Sequence, residues 1–160
     1  MILDSRIFFF ALISFVFFKA HKAPAQTFSF NLQTSSLVFD YSNPSDFNTP
    51  RTIPKAFTID VVNSRSGRYN IYCKLVSNSG QNLTSVPVNL FSVKLNSANF
   101  TMGGSYFLPI TLGLTDVLIG NVTNRNRRTD TIYYDLILNP LSLNINPDNY
   151  SFSFIFTVSE

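Results

Sequence analysis

Few residues of this chain could do proton chemistry. Its 160 residues hold nine Asp and Glu, seven Tyr, one Cys and one His. A glycosidase needs two carboxyl groups held at a set separation across the scissile bond. Asp60 and Asp135, however, fall on the phase opposite their apolar neighbours, while Asp46, Asp116, Asp130 and Asp148 sit in or beside turn-forming segments. That is how solvating charges are distributed, and Asp130 is placed to screen the nearby arginines. Cys73 shares the phase of Tyr69, Ile71 and Leu75, which directs it into a core as a small apolar side chain. A cysteine nucleophile needs a base beside it, and the one histidine, His21, lies within an N-terminal segment expected to be removed. The expectation is a protein that is not an enzyme and carries no cofactor.

Three further patterns have chemical meaning. Asn144, Asn146 and Asp148 have the alternate oxygen spacing of a calcium loop, but Pro147 interrupts it, Asn149 stands where glycine is required and Ile155 where the bidentate acid belongs. The segment reads as a turn, and no metal site is expected. Arg125, Arg127 and Arg128 form the one dense basic cluster, in a connection between strands. They suit a solvated turn or, alternatively, a site for phosphate or sulfate groups such as those of an anionic surface polysaccharide. Without interleaved aromatics the cluster does not resemble a nucleic-acid platform. Asn-x-Ser/Thr triplets at Asn82, Asn99, Asn121 and Asn149 are about as many as chance supplies in so Asn-, Ser- and Thr-rich a chain.

The first 25 residues read as an export signal. Ile7 to Phe18 is an apolar run broken only by Ser14, and Ala23-Pro24-Ala25 is the small-x-small tripeptide that precedes cleavage, here before Gln26. The run has about 12 residues where a spanning helix needs roughly 20, so no stable membrane span is expected after cleavage. Asp4, Lys19 and Lys22 run against the pattern, and an uncleaved anchor is the alternative. Three of the twelve basic residues and one of the nine acidic ones leave with the leader, which reduces the formal charge of +3 to near +1. A nucleic-acid partner attracted by net charge then loses its basis.

Residues 26 to 160 suit one domain, large enough to bury roughly two thirds of the surface of its unfolded chain. A single cysteine allows no internal disulfide, so stability must come from packing. The hydrophobic period is two, the mark of half-buried strands. In the last segment Tyr150, Phe152, Phe154, Phe156 and Val158 alternate with Ser151, Ser153, Ile155, Thr157 and Ser159. Similar runs occupy Thr27 to Leu32, Leu37 to Tyr41, Ala56 to Val62, Tyr69 to Val76, Val86 to Leu95, Tyr106 to Leu112, Val117 to Val122 and Thr131 to Leu138. No segment has the pattern of an amphipathic helix. The expectation is an all-β fold, a single antiparallel immunoglobulin-like β-sandwich of about seven to nine strands. Pro44, Pro50 and Pro54 stiffen a connector long enough to cross between sheets, and Leu90-Phe91 breaks the alternation as a bulge or a change of sheet would.

The leader, the mature start Phe28-Ser29-Phe30, the Asn/Ser-rich turns, Thr131-Ile132-Tyr133-Tyr134-Asp135-Leu136 and the closing Asn149-Tyr150-Ser151-Phe152-Ser153-Phe154-Ile155-Phe156-Thr157-Val158 together resemble bacterial exported β-sandwich proteins of the spore-coat-protein-U-like and fimbrial-subunit-like groups. The resemblance is one of pattern over most of the mature chain. It implies a structural subunit that polymerises by lending a strand to a neighbour's open sheet edge, located in the periplasm, at the cell surface or outside the cell. The chain departs from the chaperone-usher pattern in lacking a cysteine pair, which leaves that assembly route without support. Strand lending has a basis in the residues as well: the terminal segment with Phe28, Phe30 and Leu32 alternates and is free to swing, unless it is simply the first strand of its own sheet. The expected function is an exported structural or adhesive protein whose partners are itself or related subunits. The alternative is a secreted module that binds glycan or another polyanion through loop tyrosines and the arginine cluster.

Overall fold

The computed structural model describes residues 28–35, 37–39, 43–63, 67–77, 89–102, 104–124, 128–141 and 152–159. Among these residues eight strands are formed: β1 (Phe28–Thr34), β2 (Arg51–Asn63), β3 (Gly67–Ser77), β4 (Phe91–Ala98), β5 (Ile110–Thr111), β6 (Val117–Asn124), β7 (Arg128–Leu138) and β8 (Phe152–Ser159). They build two antiparallel sheets, one of five strands in the order β1-β2-β7-β4-β5 and one of three in the order β6-β3-β8. The fold is a β-sandwich, and no α-helix occurs among the described residues.

Alternation decides which side chains meet between the sheets. On β3 the odd residues Tyr69, Ile71, Cys73 and Leu75 are buried, on β2 Phe57, Ile59 and Val61, and on β7 the even residues Ile132, Tyr134, Leu136 and Leu138. Aromatic contacts hold the layers together. Phe57 of β2 lies 5.2 Å from Phe154 and 4.9 Å from Phe156 of β8, and Phe91 of β4 packs edge-on against Phe152 and Phe154 at 5.4 and 5.3 Å. Such pairs add about 0.5–1.5 kcal/mol each beyond the area they bury.

Eight of the nine alternating runs contain a strand. The exception is Leu37 to Tyr41, whose described residues 37–39 are irregular. Leu37 and Phe39 still pack on the core while Val38 is 73% exposed, because any extended segment lying on an apolar surface alternates, whether or not a neighbour offers it a ladder. The run Tyr106 to Leu112 gives only the two-residue β5, preceded by a 3₁₀ turn at Gly104–Phe107.

The connector through Pro44 does not cross between sheets. It forms a 3₁₀ turn, Pro44–Phe47, with Asp46 accepting the Asn43 N–H at 3.0 Å, and returns the chain to pair β2 antiparallel with β1. Pro54 lies outside that connector, within β2 itself. Leu90 and Phe91 form no bulge: both are buried where the chain enters β4, and the irregularity of β4 falls instead between Leu95 and Ser97. The chain does change sheets between Ser77 of β3 and Phe91 of β4, and residues 78–88 of that connection lie outside the described ones. The segments expected to form the leader and the Asn144 to Asp148 turn, and residues 64–66, 78–88 and 125–127, lie outside the described residues.

Candidate functional site

Two of the carboxylates expected to be solvating are buried. Asp130 lies on the inward phase of β7, fully covered, and accepts a hydrogen bond of 2.8 Å from the Tyr69 hydroxyl of the opposite sheet. Asp135 is on the outer face of β7, as its phase requires, yet only 4% exposed. Both neighbours of β7 are irregular at its level. On one side β2 shifts register between Ile53 and Phe57, and on the other β4 shifts between Leu95 and Ser97. Pro54 has no N–H for the ladder, and Lys55 beside it takes φ 49°, in the left-handed region. The Lys55 N–H that this releases donates to Asp135 Oδ1 at 2.9 Å, the Asn96 side-chain amide donates to the same oxygen at 2.8 Å, and Lys94 Nζ stands 3.6 Å from Oδ2. One carboxylate therefore holds two bulges, one on each side of the central strand. The bulge carbonyls face β1: Ser35 Oγ donates to the Lys55 oxygen at 3.1 Å, and Ser35 N to the Ala56 oxygen at 3.0 Å. Lys55 Nζ closes over the Tyr133 ring, 4.9 Å from its centroid.

Period-two reading identifies the face a residue occupies but not whether a bulge folds over it, and Pro54 beside a lysine was the sequence signal for this one. Asp130 followed the inward phase of Ile132 and Tyr134 all along; its proximity to the arginines obscured that phase.

The other reactive candidates are also engaged in the structure. Asp60 accepts from the Thr131 hydroxyl at 2.7 Å and from Gln33 at 3.4 Å, and Asp116 lies 3.8 Å from Lys74 Nζ. Cys73 is fully buried; burial, with a smaller contribution from the negative charge of Asp116, pushes its thiol up to about 12, far from a nucleophile's range. Asn99, in one of the four triplets, uses its side chain to extend the sheet: Nδ2 donates to the Thr129 oxygen at 2.9 Å and Oδ1 accepts from Thr131 N at 3.0 Å.

The N-terminal candidates all lie on β1, at an edge of the larger sheet, with Phe28, Phe30 and Leu32 opposite Asn63, Val61 and Ile59 of β2. Leu32 is half-buried against the core, whereas Phe30, on the same phase and opposite Val61, remains 41% exposed. Arg128 opens β7 opposite Asn63, while Arg125 and Arg127 lie outside the described residues.

Fold and edges together define an all-β sandwich whose two sheets are closed by side chains and not by strands. No family model matches the chain, and no curated protein sequence matches it either.

Proposed function

We propose that the protein is an exported, noncatalytic structural or adhesive β-sandwich whose copies, or related subunits, assemble by exchanging β1. The observation that carries this reading is the attachment of β1. It is a seven-residue strand that, among the described strands, pairs with β2 alone, and from Ser29 to Thr34 its side chains other than Leu32 are exposed. Among its described side chains Leu32 is the one packed against the core. Every contact it makes to β2 can be re-formed with the β2 of a neighbour, so exchange conserves the ladder and changes only which chain supplies it. Commitment of Asp130 and Asp135 to structural hydrogen bonds and of Cys73 to the core supports a noncatalytic role. Export rests on the N-terminal apolar run and its small-x-small site.

The test is assembly of the mature chain with and without residues 26–33. Material sheared from producing cells is run in SDS unheated and boiled. A ladder that collapses to one band on boiling, and that is lost in the shortened chain, is the expected outcome. A single band in both lanes for the intact chain refutes strand exchange and directs attention to polyanion binding at Arg125, Arg127 and Arg128, for which Arg127→Ala is the control.

A further inference from the structure

β1 ends where β2 is irregular. Phe28 to Thr34 pair with Asn63 to Phe57 without a shift, and the next residue, Ser35, meets the bulge that begins at Ala56. In a regular antiparallel ladder the N–H and C=O of one residue turn to the same neighbour. Lys55 departs from this: its N–H donates to Asp135 Oδ1 of β7 at 2.9 Å, while its carbonyl accepts from Ser35 Oγ at 3.1 Å on the side of β1. The carbonyl of the next residue, Ala56, accepts from Ser35 N at 3.0 Å. Two successive carbonyls of β2 are thus taken by the two donors of a single residue. The left-handed φ of 49° at Lys55 gives its N–H and C=O these opposite directions. That conformation is unfavourable for a residue with a Cβ, and the bond to Asp135 holds it.

Alternation alone leaves the register of β1 open. A slip by one residue would turn Phe28, Phe30 and Leu32 away from the phase of Phe57, Ile59 and Val61, but a slip by two keeps that phase, with Leu32 opposite Val61 or Phe57 in place of Ile59. Either slip carries Ser35 about 7 Å along the strand, out of reach of both carbonyls. The slip toward Arg51 also sets Thr34 against the bulge at Lys55. We infer that the Lys55 bulge is the register stop of β1, read by Ser35 and positioned by Asp135 acting through Lys55, and that the same stop selects the recipient of an exchanged β1. That recipient is a β2 offering both carbonyls to Ser35, the β2 of a second copy of this chain. Register selection within one chain holds whether or not β1 exchanges, whereas selection of the recipient rests on the exchange proposed above.

Cysteine pairs on the outward phase report the register. In the chain purified from producing cells, Ser29→Cys with Val62→Cys should cross-link on mild oxidation, because these residues stand directly opposite; the buried Cys73 does not interfere. Asn31→Cys with Thr58→Cys, or with Val62→Cys, comes opposite only after a slip of two and should cross-link at least about tenfold less. Adding Ser35→Ala, which removes one of the two bonds at an exposed side chain, should raise the slipped cross-links about two- to tenfold, and adding Asp135→Ala should raise them further. Lys55→Gly in the Asp135→Ala background should bring them back toward the parent, since glycine takes a left-handed φ unaided; a merely structural role for Asp135 would not be rescued in this way. Slipped pairs that cross-link as readily as Ser29→Cys with Val62→Cys in the otherwise unaltered chain, or that Ser35→Ala leaves unchanged, would overturn the inference, and Ser35→Ala decides it if Asp135→Ala does not fold. Chains carrying Ser29→Cys alone, mixed with chains carrying Val62→Cys alone, test the recipient. Chains linked in this register and in no slipped one are the expected result. Chains linked equally in slipped registers would overturn selection of the recipient and leave exchange standing; the absence of linked chains would refute exchange, and with it the choice of recipient, and leave the register stop within one chain intact.

Discussion

Gly120 and Tyr134 share a space that admits only one more atom than a glycine has. A Cβ built on Gly120 would lie 2.6 Å from the Tyr134 hydroxyl oxygen, 3.2 Å from Met102 Cε and 3.5 Å from Ile71 Cδ1. The hydroxyl is fixed there because it donates to the Ile119 carbonyl at 3.2 Å, at the bulge of β6. Gly120→Ala must therefore displace the tyrosine and break its hydrogen bond. Overpacking of this kind costs about 1–3 kcal/mol, and leaving a buried donor or acceptor unmade costs about 1–3 kcal/mol. Replacing glycine in a strand returns roughly 0.5–1 kcal/mol, so the net loss is about 2–4 kcal/mol. Tyr134→Phe alone should cost about 1–3 kcal/mol for the unsatisfied carbonyl. In the double variant the alanine methyl occupies the space the hydroxyl vacated, and the total should be close to that of Tyr134→Phe by itself. Urea unfolding of the four proteins measures this directly, with m of about 1–3 kcal/mol/M for domains of this kind. The expected coupling equals the cost of Gly120→Ala, about 2–4 kcal/mol, favouring the double variant. Additive losses, within about 0.5 kcal/mol, would refute the reasoning, because they would mean that the two sites do not compete for one volume.

Further outcomes follow from the Asp135 carboxylate, Lys55 and the Cys73 thiol. Asp135→Ala should destabilise the fold by about 2–4 kcal/mol in urea unfolding, since it leaves the Lys55 N–H and the Asn96 amide without their acceptor; Lys55→Gly should stay within about 1 kcal/mol of the parent, relief of the left-handed backbone offsetting the lost contact with Tyr133. Cys73 should resist thiol reagents at pH 8 in the native state and react at the rate of unfolding. Its thiol ionises near 9 when unfolded and at about 12 when folded, so the unfolded state releases its proton first and stability falls as pH rises through that window. The stability advantage of the parent over Cys73→Ala should be fully present below pH 9 and should narrow between pH 9 and 12; an advantage that holds constant across this range would show that the thiol is not held protonated by the fold.

The sequence by itself determined the fold class, because period-two alternation is a local consequence of extended backbone and needs no partner to be visible. Tyr69, Ile71, Cys73 and Leu75 declared their inward face, and Phe152, Phe154, Phe156 and Val158 declared theirs. Tertiary structure decided what alternation does not encode, which is who lies next to whom. Leu37 to Phe39 alternates as a strand does and finds no ladder. The Pro44 connector is long enough to cross the sandwich, yet β2 returns beside β1. Asp135 reads as a solvated outer residue until Pro54 and Asn96 displace the strands on either side and fold donors over it, and Asp130 becomes a core residue only because Tyr69 of the other sheet reaches it. The candidate sites divide the same way. That β1 alternates and is uncharged is written in its residues; that among the described strands it borders β2 alone follows from strand order, a property of the whole sandwich and of no single segment.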